Sequence, residues 1–271
     1  MRRSALPVLI AACVVVAAVL AWLFLQRVVF RPATAVDSAG PAVAEIRTPG
    51  AFTRISVAGL ANVELVQGDR HEVRIEAPAG GAQRVRTRVD DGTLTITNRS
   101  GHVEIPLFGG GAHTSSPRIV VTAPSIESIA ADGAVTISAG KLEVPSLRVS
   151  ASGATKLRID DLRAESLRLS GAGAVRVDLA GRVTEQSISL SGAGDYRAPR
   201  LLSETATVSV AGAGRVVVHA DKSLRASLSG AGSVEYLGDP EVRESVSGIG
   251  RVKRRETRAT PAGTGPRVAA L

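Results

Sequence analysis

The sequence predicts an all-β protein: a single-stranded right-handed parallel β-helix, a solenoid of about 20-residue rungs, following an N-terminal transmembrane helix. Three observations predict it. One short phrase of small residues returns seven times between residues 129 and 252. The residues flanking each copy alternate with period two and show no helical period. A 21-residue apolar run, Ala5 to Leu25, stands near the N-terminus.

Taken in order, the chain begins with Met1-Arg2-Arg3 and then the apolar run, long enough for a hydrocarbon core of about 30 Å. It is too long for an ordinary signal-peptide core, and Trp22 near its outer end suits a membrane interface. Residues 1–31 therefore predict an uncleaved signal anchor, spanning the cytoplasmic membrane through residues 5–25 with the body outside the cytoplasm. Two alternatives stay open: Ile10-Ala11-Ala12-Cys13 has the form of a lipobox, and Ala33-Thr34-Ala35 that of a cleavage site. Residues 32–50, rich in Ala, Pro and Thr, read as a linker.

The body is expected over residues 51–256. Ile55, Val57 and Gly59 alternate, then Ala61, Val63 and Leu65, and the pattern resumes at Val73 and Ile75. Asp90-Asp91-Gly92 is a turn signal between two strands. This irregular opening predicts the first rungs or a cap. Phe108 to Pro117 reads as an irregular insertion, and Arg118 leads into the regular rungs. Residues 257–271 are expected to be a disordered tail.

The rungs rest on the phrase itself. Its clearest copies are Ser170-Gly171-Ala172-Gly173, Ser191-Gly192-Ala193-Gly194, Ala211-Gly212-Ala213-Gly214, Ser229-Gly230-Ala231-Gly232 and Ser247-Gly248-Ile249-Gly250. Weaker copies end at Gly133 and Gly153. Aligning the last glycine of each copy gives spacings of 20, 20, 21, 20, 18 and 18 residues. On that alignment the inward columns read Ile129, Val149, Leu169, Leu190, Val210, Leu228, Val246 and Val135, Thr155, Val175, Tyr196, Val216, Val234, Val252. Crossovers between parallel strands are overwhelmingly right-handed, hence the predicted hand.

Composition agrees with a narrow stacked core, since 44% of the 271 residues are hydrophobic and only 3% aromatic. The single cysteine, Cys13, excludes disulfides and cysteine-ligated metals from the body. The net charge of +8 comes almost wholly from arginine and suits anionic partners.

With these residues in place, the chain resembles the head GIN domain family, whose members are often labelled putative autotransporter adhesins. The resemblance runs from about Phe52 to Lys253. It rests on Phe52-Thr53-Arg54-Ile55-Ser56-Val57, Asp91-Gly92-Thr93-Leu94-Thr95-Ile96, the serial Ser-Gly-Ala-Gly phrases and Val234-Glu235-Tyr236-Leu237-Gly238-Asp239-Pro240. It implies an exported β-solenoid and carries no catalytic residue to transfer.

The chemistry readable in the residues is sparse. Gly171-Ala172-Gly173 lacks the lysine or third glycine of a nucleotide loop and is structural. His219 and Asp178 are expected in one outward column, about 9 to 10 Å apart and unable to pair. Asp160-Asp161 reads as a turn, and His102 with Glu104 as a surface pair. No catalytic residue, metal site or cofactor is expected. Lys156, Arg176 and Arg197 are expected to stack on consecutive rungs as a basic stripe, although like charges directly opposite cost roughly 0.2–1 kcal/mol per pair. Such a stripe suits an acidic envelope polysaccharide. Tyr196 and Tyr236 have inward parity, which argues against an aromatic sugar platform.

The functional expectation is a membrane-anchored, extracytoplasmic, non-catalytic binding, adhesion or structural module of a bacterial cell envelope, with no nucleic-acid partner. Two alternatives are a β-helix polysaccharide-active enzyme and an envelope assembly or stress component that binds a protein.

Overall fold

The computed structural model of the chain describes residues 43–77, 81–98 and 116–255, in which seventeen strands join into one sheet that winds into a solenoid. The expected anchor, Cys13, residues 33–35, His102, Glu104, nearly all of the 108–117 insertion and the tail lie outside the described residues. Among the described residues no helix is long and apolar enough to cross a membrane.

The chain enters through β1 (Val43–Arg47), which lies inside the stretch expected to be linker. Arg47 explains why this segment is ordered. Its guanidinium donates to the carbonyl of Val85 at 2.8 Å, to Thr87 Oγ1 at 2.9 Å and to Glu45 Oε1 at 2.7 Å. That bond holds the Glu45 carboxyl below its ordinary range.

The first full circuit is β2 (Arg54–Gln67), which bends at Gly59. Its two halves lie in opposite walls, here the A face (54–59) and the B face (62–67). Next come β3 (Glu72–Ala77), a single 3-10 turn at Ala82–Arg84, β4 (Val85–Asp90) and β5 (Thr93–Asn98). The β4–β5 hairpin turns on Asp91 (φ 46°) and Gly92 (φ 68°), the two left-handed residues of a type I′ turn, as the Asp-Asp-Gly signal predicts. β6 (Arg118–Ala123) completes the circuit that β5 begins.

Chain order and stacking order differ here. β2 is flanked on the A face by β5 and β7 (Ser128–Glu143), and on the B face by β6 and β7, all parallel. The β5–β6 rung thus lies outside the β2 rung although it comes later in sequence. Antiparallel strands cover that outer rung: β4 on the A face, and β3 followed by β1 on the B face. The irregular opening is therefore both first rungs and cap.

From β7 onward the coil is regular. β8 (Ser146–Gly153), β9 (Lys156–Gly173), β10 (Arg176–Gly192), β11 (Asp195–Leu202), β12 (Thr205–Gly212), β13 (Arg215–His219), β14 (Ser223–Gly230), β15 (Ser233–Leu237), β16 (Glu241–Gly248) and β17 (Arg251–Arg254) follow. The A face stacks the segments ending at Gly133, Gly153, Gly173, Gly192, Gly212, Gly230 and Gly248, all parallel. The B face stacks β7, β9, β10, β11, β13, β15 and β17. Strict in/out alternation, as in β8 (eight residues from Ser146 to Gly153), feeds one continuous core between the faces. Burial at roughly 25 cal/mol per Å² of apolar surface makes rung-on-rung stacking the main stabilising term.

The glycines set the corner, and their register corrects the sequence alignment. Gly192, not Gly194, stacks on Gly173. Both have left-handed φ of 101°. A Cβ at Gly173 would sit 2.7 Å from the carbonyl oxygen of Gly153, so only glycine lets successive corners approach this closely. After the corner, Asp195 N donates to the carbonyl of Val175, and Arg215 N to that of Gly194, both at 2.8 Å. Val175, Gly194 and Gly214 are thus equivalent. The phrase slips by two residues between the rungs ending at Gly173 and Gly192. A slip of two preserves parity, so the expected inward residues stay inward while the columns shift, except that in the last rung, with no rung beyond it among the described residues, Val246 is 41% exposed.

Candidate functional site

The outer surface of the B face carries the candidate site, and the slip decides its composition. One outward column runs Thr136, Lys156, Arg176, Asp195, Arg215, Ser233, Arg251. The next runs Ser138, Arg158, Asp178, Arg197, Val217, Glu235, Lys253. Lys156 and Arg176 do stack, but Arg197 belongs to the second column, opposite Asp178. The continuous three-cation stripe therefore does not form: Asp195 takes the place expected for Arg197.

In the second column bases and acids alternate from Arg158 through Asp178 to Arg197, and in the first Asp195 stands between Arg176 and Arg215. Asp195 is held between two arginines, with its Oδ2 2.6 Å from an Arg197 guanidinium nitrogen and 3.7 Å from Arg176 Nε. The Asp195 hydrogen bond and charge, helped by Asp178, push the Arg197 guanidinium further above its ordinary value. Arg158 bonds Asp160 at 2.8 Å, and Glu235 receives Lys253 at 3.1 Å with Arg255 at 3.8 Å. Exposed pairs of this kind contribute about 0–1 kcal/mol each. Their effect is to cancel charge locally.

One rung breaks the alternation. In the β13 rung the second column offers Val217, which is only 4% exposed although it points outward. A groove of about 770 Å³ opens around it. Six cations (Arg158, Arg197, Arg200, Arg215, Lys253, Arg255) line it against three carboxylates, those of Asp160, Asp178 and Glu235. The described residues supply no carboxylate within 4.0 Å of Arg200 or Arg215, and both are exposed.

Beneath the groove, inside the coil, lies a polar network that sequence reasoning missed. Tyr196 Oη donates to Gln186 Oε1 at 2.9 Å, and Gln186 Nε2 donates to Ser203 Oγ at 2.8 Å. The carbonyl of His219 accepts from Ser203 Oγ at 2.6 Å and from Gln186 Nε2 at 3.1 Å. Burial pushes the Tyr196 phenol well above its ordinary value, so it stays a neutral donor. The available signal was Gln186, which occupies the inward position held by Leu167 one rung before and Ala206 one rung after.

The remaining sequence candidates do not converge. His219 faces Asp221 at 3.2 Å, and Asp178 stacks between Arg158 and Arg197, so the shared His219–Asp178 column does not exist. Asp160 and Asp161 lie within β9 rather than in a turn, beside a register shift, each tied to an arginine of its own strand, Arg158 and Arg163. At the capped end, His71 packs against Phe52 with ring centroids 4.8 Å apart, and its Nδ1 is buried without a hydrogen-bond partner. Among the described residues no group of three or more His, Cys, Asp or Glu side chains could hold a metal ion.

The family model described as "Putative auto-transporter adhesin, head GIN domain" matches residues 51–240. The chain belongs to the head GIN domain family. This head GIN solenoid is similar in fold to a crystal structure of a putative adhesin from Bacteroides fragilis NCTC 9343, with TM-score 0.71 and 21% identity over 79% of this chain and 97% of that one. A putative lipid binding protein from Parabacteroides distasonis ATCC 8503 gives TM-score 0.63 and 19% identity over 80% and 98% of the two chains. A putative adhesin from Parabacteroides merdae ATCC 43184 gives 0.59 and 18% over 80% and 97%. At these identities the likeness shows the fold alone. No curated protein matches the chain.

Proposed function

We propose that this head GIN solenoid is a non-catalytic binding module of the cell envelope, wound right-handed and held to the cytoplasmic membrane by residues 5–25 with its body outside. The observation that carries the binding reading is the B face: a continuous parallel sheet with a basic groove and no convergent nucleophile, base and orienting group among its described side chains. Neighbours described as putative adhesins or as a putative lipid binding protein are consistent with binding rather than turnover. The 21-residue apolar run supports the anchor, and an excess of cations on the B face favours an acidic envelope polysaccharide as the partner.

Two measurements test this. The full chain should stay in the membrane fraction after a high-salt wash, and protease added to spheroplasts should remove the body. In detergent, the same chain should co-sediment with acidic but not neutral envelope polysaccharides. A body protected from external protease would overturn the topology. Capture of a stoichiometric protein partner, with no polymer bound, would move the function to envelope assembly.

A further inference from the structure

Exposed arginines without a carboxylate within 4.0 Å also stand elsewhere on the described surface, Arg148, Arg168 and Arg225 among them, but the groove around Val217 is where two such arginines, Arg200 and Arg215, line a concave site. We infer that this groove is a binding site for a polyuronate, a polymer bearing one carboxylate on each sugar, read chiefly by Arg200 and Arg215. The inference rests on the binding-module reading above and names its ligand class and contact residues.

The electrostatics select these two arginines. Arg158, Arg197, Lys253 and Arg255 line the groove but each already faces a carboxylate of the protein. A ligand carboxylate would have to compete with Asp160, Asp195 or Glu235 for them. Arg215 stacks between Asp195 and Ser233, but Asp195 is bound to Arg176 and Arg197, so its charge is shared. Val217, between Arg197 and Glu235 in the next column, supplies no acid. In the β13 rung the two columns thus supply one base, Arg215, and no acid, and a ligand carboxylate provides the counter-charge. Guanidinium groups suit this role because they grip carboxylates bidentately.

The shape selects a polymer over a lipid. An acyl chain needs a concave apolar enclosure. The apolar lining residues Ile159, Leu179 and Val217 are all at most 4% exposed and only Pro199 is half-buried, so what the groove offers outward is mainly charged rim. Tyr196 is fully buried and Tyr236 packs against the core, which leaves no ring on this surface for sugar stacking. Recognition is therefore ionic and salt-dependent. Arg200 and Arg215 stand on neighbouring rungs in different columns, so an extended polyanion crossing the groove can meet both.

The test uses the full chain in neutral detergent, with polygalacturonate as the probe, and with dextran and water-soluble glycerol phosphate, the headgroup chemistry of an anionic lipid, as the other arms. The wild type should bind polygalacturonate at low salt, lose it as salt rises, and ignore dextran. R200Q/R215Q should weaken binding at least tenfold. R148Q/R168Q removes two exposed arginines that stack on the A face, away from the Val217 groove, and should change binding less than twofold. Val217→Glu, which places a carboxylate beside Arg197 and Arg215, should weaken binding at least fivefold while the circular dichroism spectrum stays unchanged. Equal losses in the two double variants would overturn the site in favour of diffuse charge. Tighter binding to glycerol phosphate than to the polymer would overturn the ligand class. Binding of other acidic polymers but not polygalacturonate would sink the polyuronate inference and leave the module reading intact, whereas binding to no polymer at all would sink both.

Discussion

The rungs ending at Gly133, Gly153 and Gly173 and those ending at Gly192, Gly212, Gly230 and Gly248 close the same corner with opposite distributions of volume. In the early rungs the A-face position two residues before the corner glycine is small (Ala131, Ala151, Gly171), and the residue two after it is larger (Val135, Thr155, Val175). In the late rungs the A-face residue is large (Leu190, Val210, Leu228, Val246) and the corner interior is Gly194, Gly214, Gly232 or Gly250. Either side chain fills the bend. A Cβ on Gly194 would lie 2.9 Å from Leu190 Cδ1, and one on Gly171 would lie 2.8 Å from Leu190 Cδ2 in the next rung. What the two halves share is the summed volume across the corner, as close packing requires, together with the left-handed glycine between.

This difference separates two kinds of glycine that the phrase Ser-Gly-Ala-Gly writes alike. Gly173 and Gly192 are needed for backbone, whereas Gly171 and Gly194 are needed for space. The sharpest way to break the comparison is Gly192→Val. The new side chain meets a left-handed φ and, 3.0 Å from its Cβ, the carbonyl oxygen of Gly173. We expect a loss of ~4–5 kcal/mol, the range reserved for severe strain or overpacking. No change at Leu190 should rescue it. Denaturant melts read the loss, and a cost below about 1 kcal/mol would show that the corner is not a backbone constraint.

The second test exchanges one half's solution for the other's. Leu190→Ala should cost ~2–5 kcal/mol, as for a buried leucine whose cavity does not collapse. Adding Gly194→Val places the early-rung pair into a late rung and should recover ~1–2 kcal/mol of that. If the double variant melts no higher than Leu190→Ala alone, the volume exchange is not what couples these positions.

The same comparison explains which parts of the fold the sequence makes legible. Period-two alternation survives any even slip, so the inward identities of Leu169, Leu190, Tyr196 and Val216 were readable with no structure. The turn at Asp91-Gly92 was readable because its chemistry is local. Register was not, because an alignment of phrases follows small residues, and the chain moves its small residues by two places while keeping its left-handed glycine in column. That slip is why Arg197 was expected beside Arg176 and is found beside Asp178. The outer placement of the β5–β6 rung was equally hidden, since it depends on which edge of β2 is covered last and no local residue records that. The groove was hidden with the register, because it exists only where Val217 interrupts the correct column.

The late half also differs in holding a polar network of linked side chains inside, and this gives the smallest of the three effects. Gln186 and Tyr196 stand where the preceding rung has Leu167 and Val177. Each polar atom of the Tyr196, Gln186 and Ser203 side chains finds a partner, so the network costs little as built. Tyr196→Phe should cost ~1–3 kcal/mol, because it leaves the buried Gln186 Oε1 without a donor. Gln186→Leu added to Tyr196→Phe restores the early-rung pattern and should return part of the loss. The pH dependence follows from the sign of the phenol's shift. The folded state holds the Tyr196 phenol above its ordinary value of about 10, so the neutral form is favoured by folding. The stability tied to Tyr196 is therefore fully present below about pH 10 and is lost as pH rises beyond it, when the unfolded chain releases that proton and the folded chain does not. Melts of wild type and Tyr196→Phe across this range should converge as pH rises above about 10. Parallel curves would mean that the phenol titrates equally in both states, and that the late half's buried network is open to solvent.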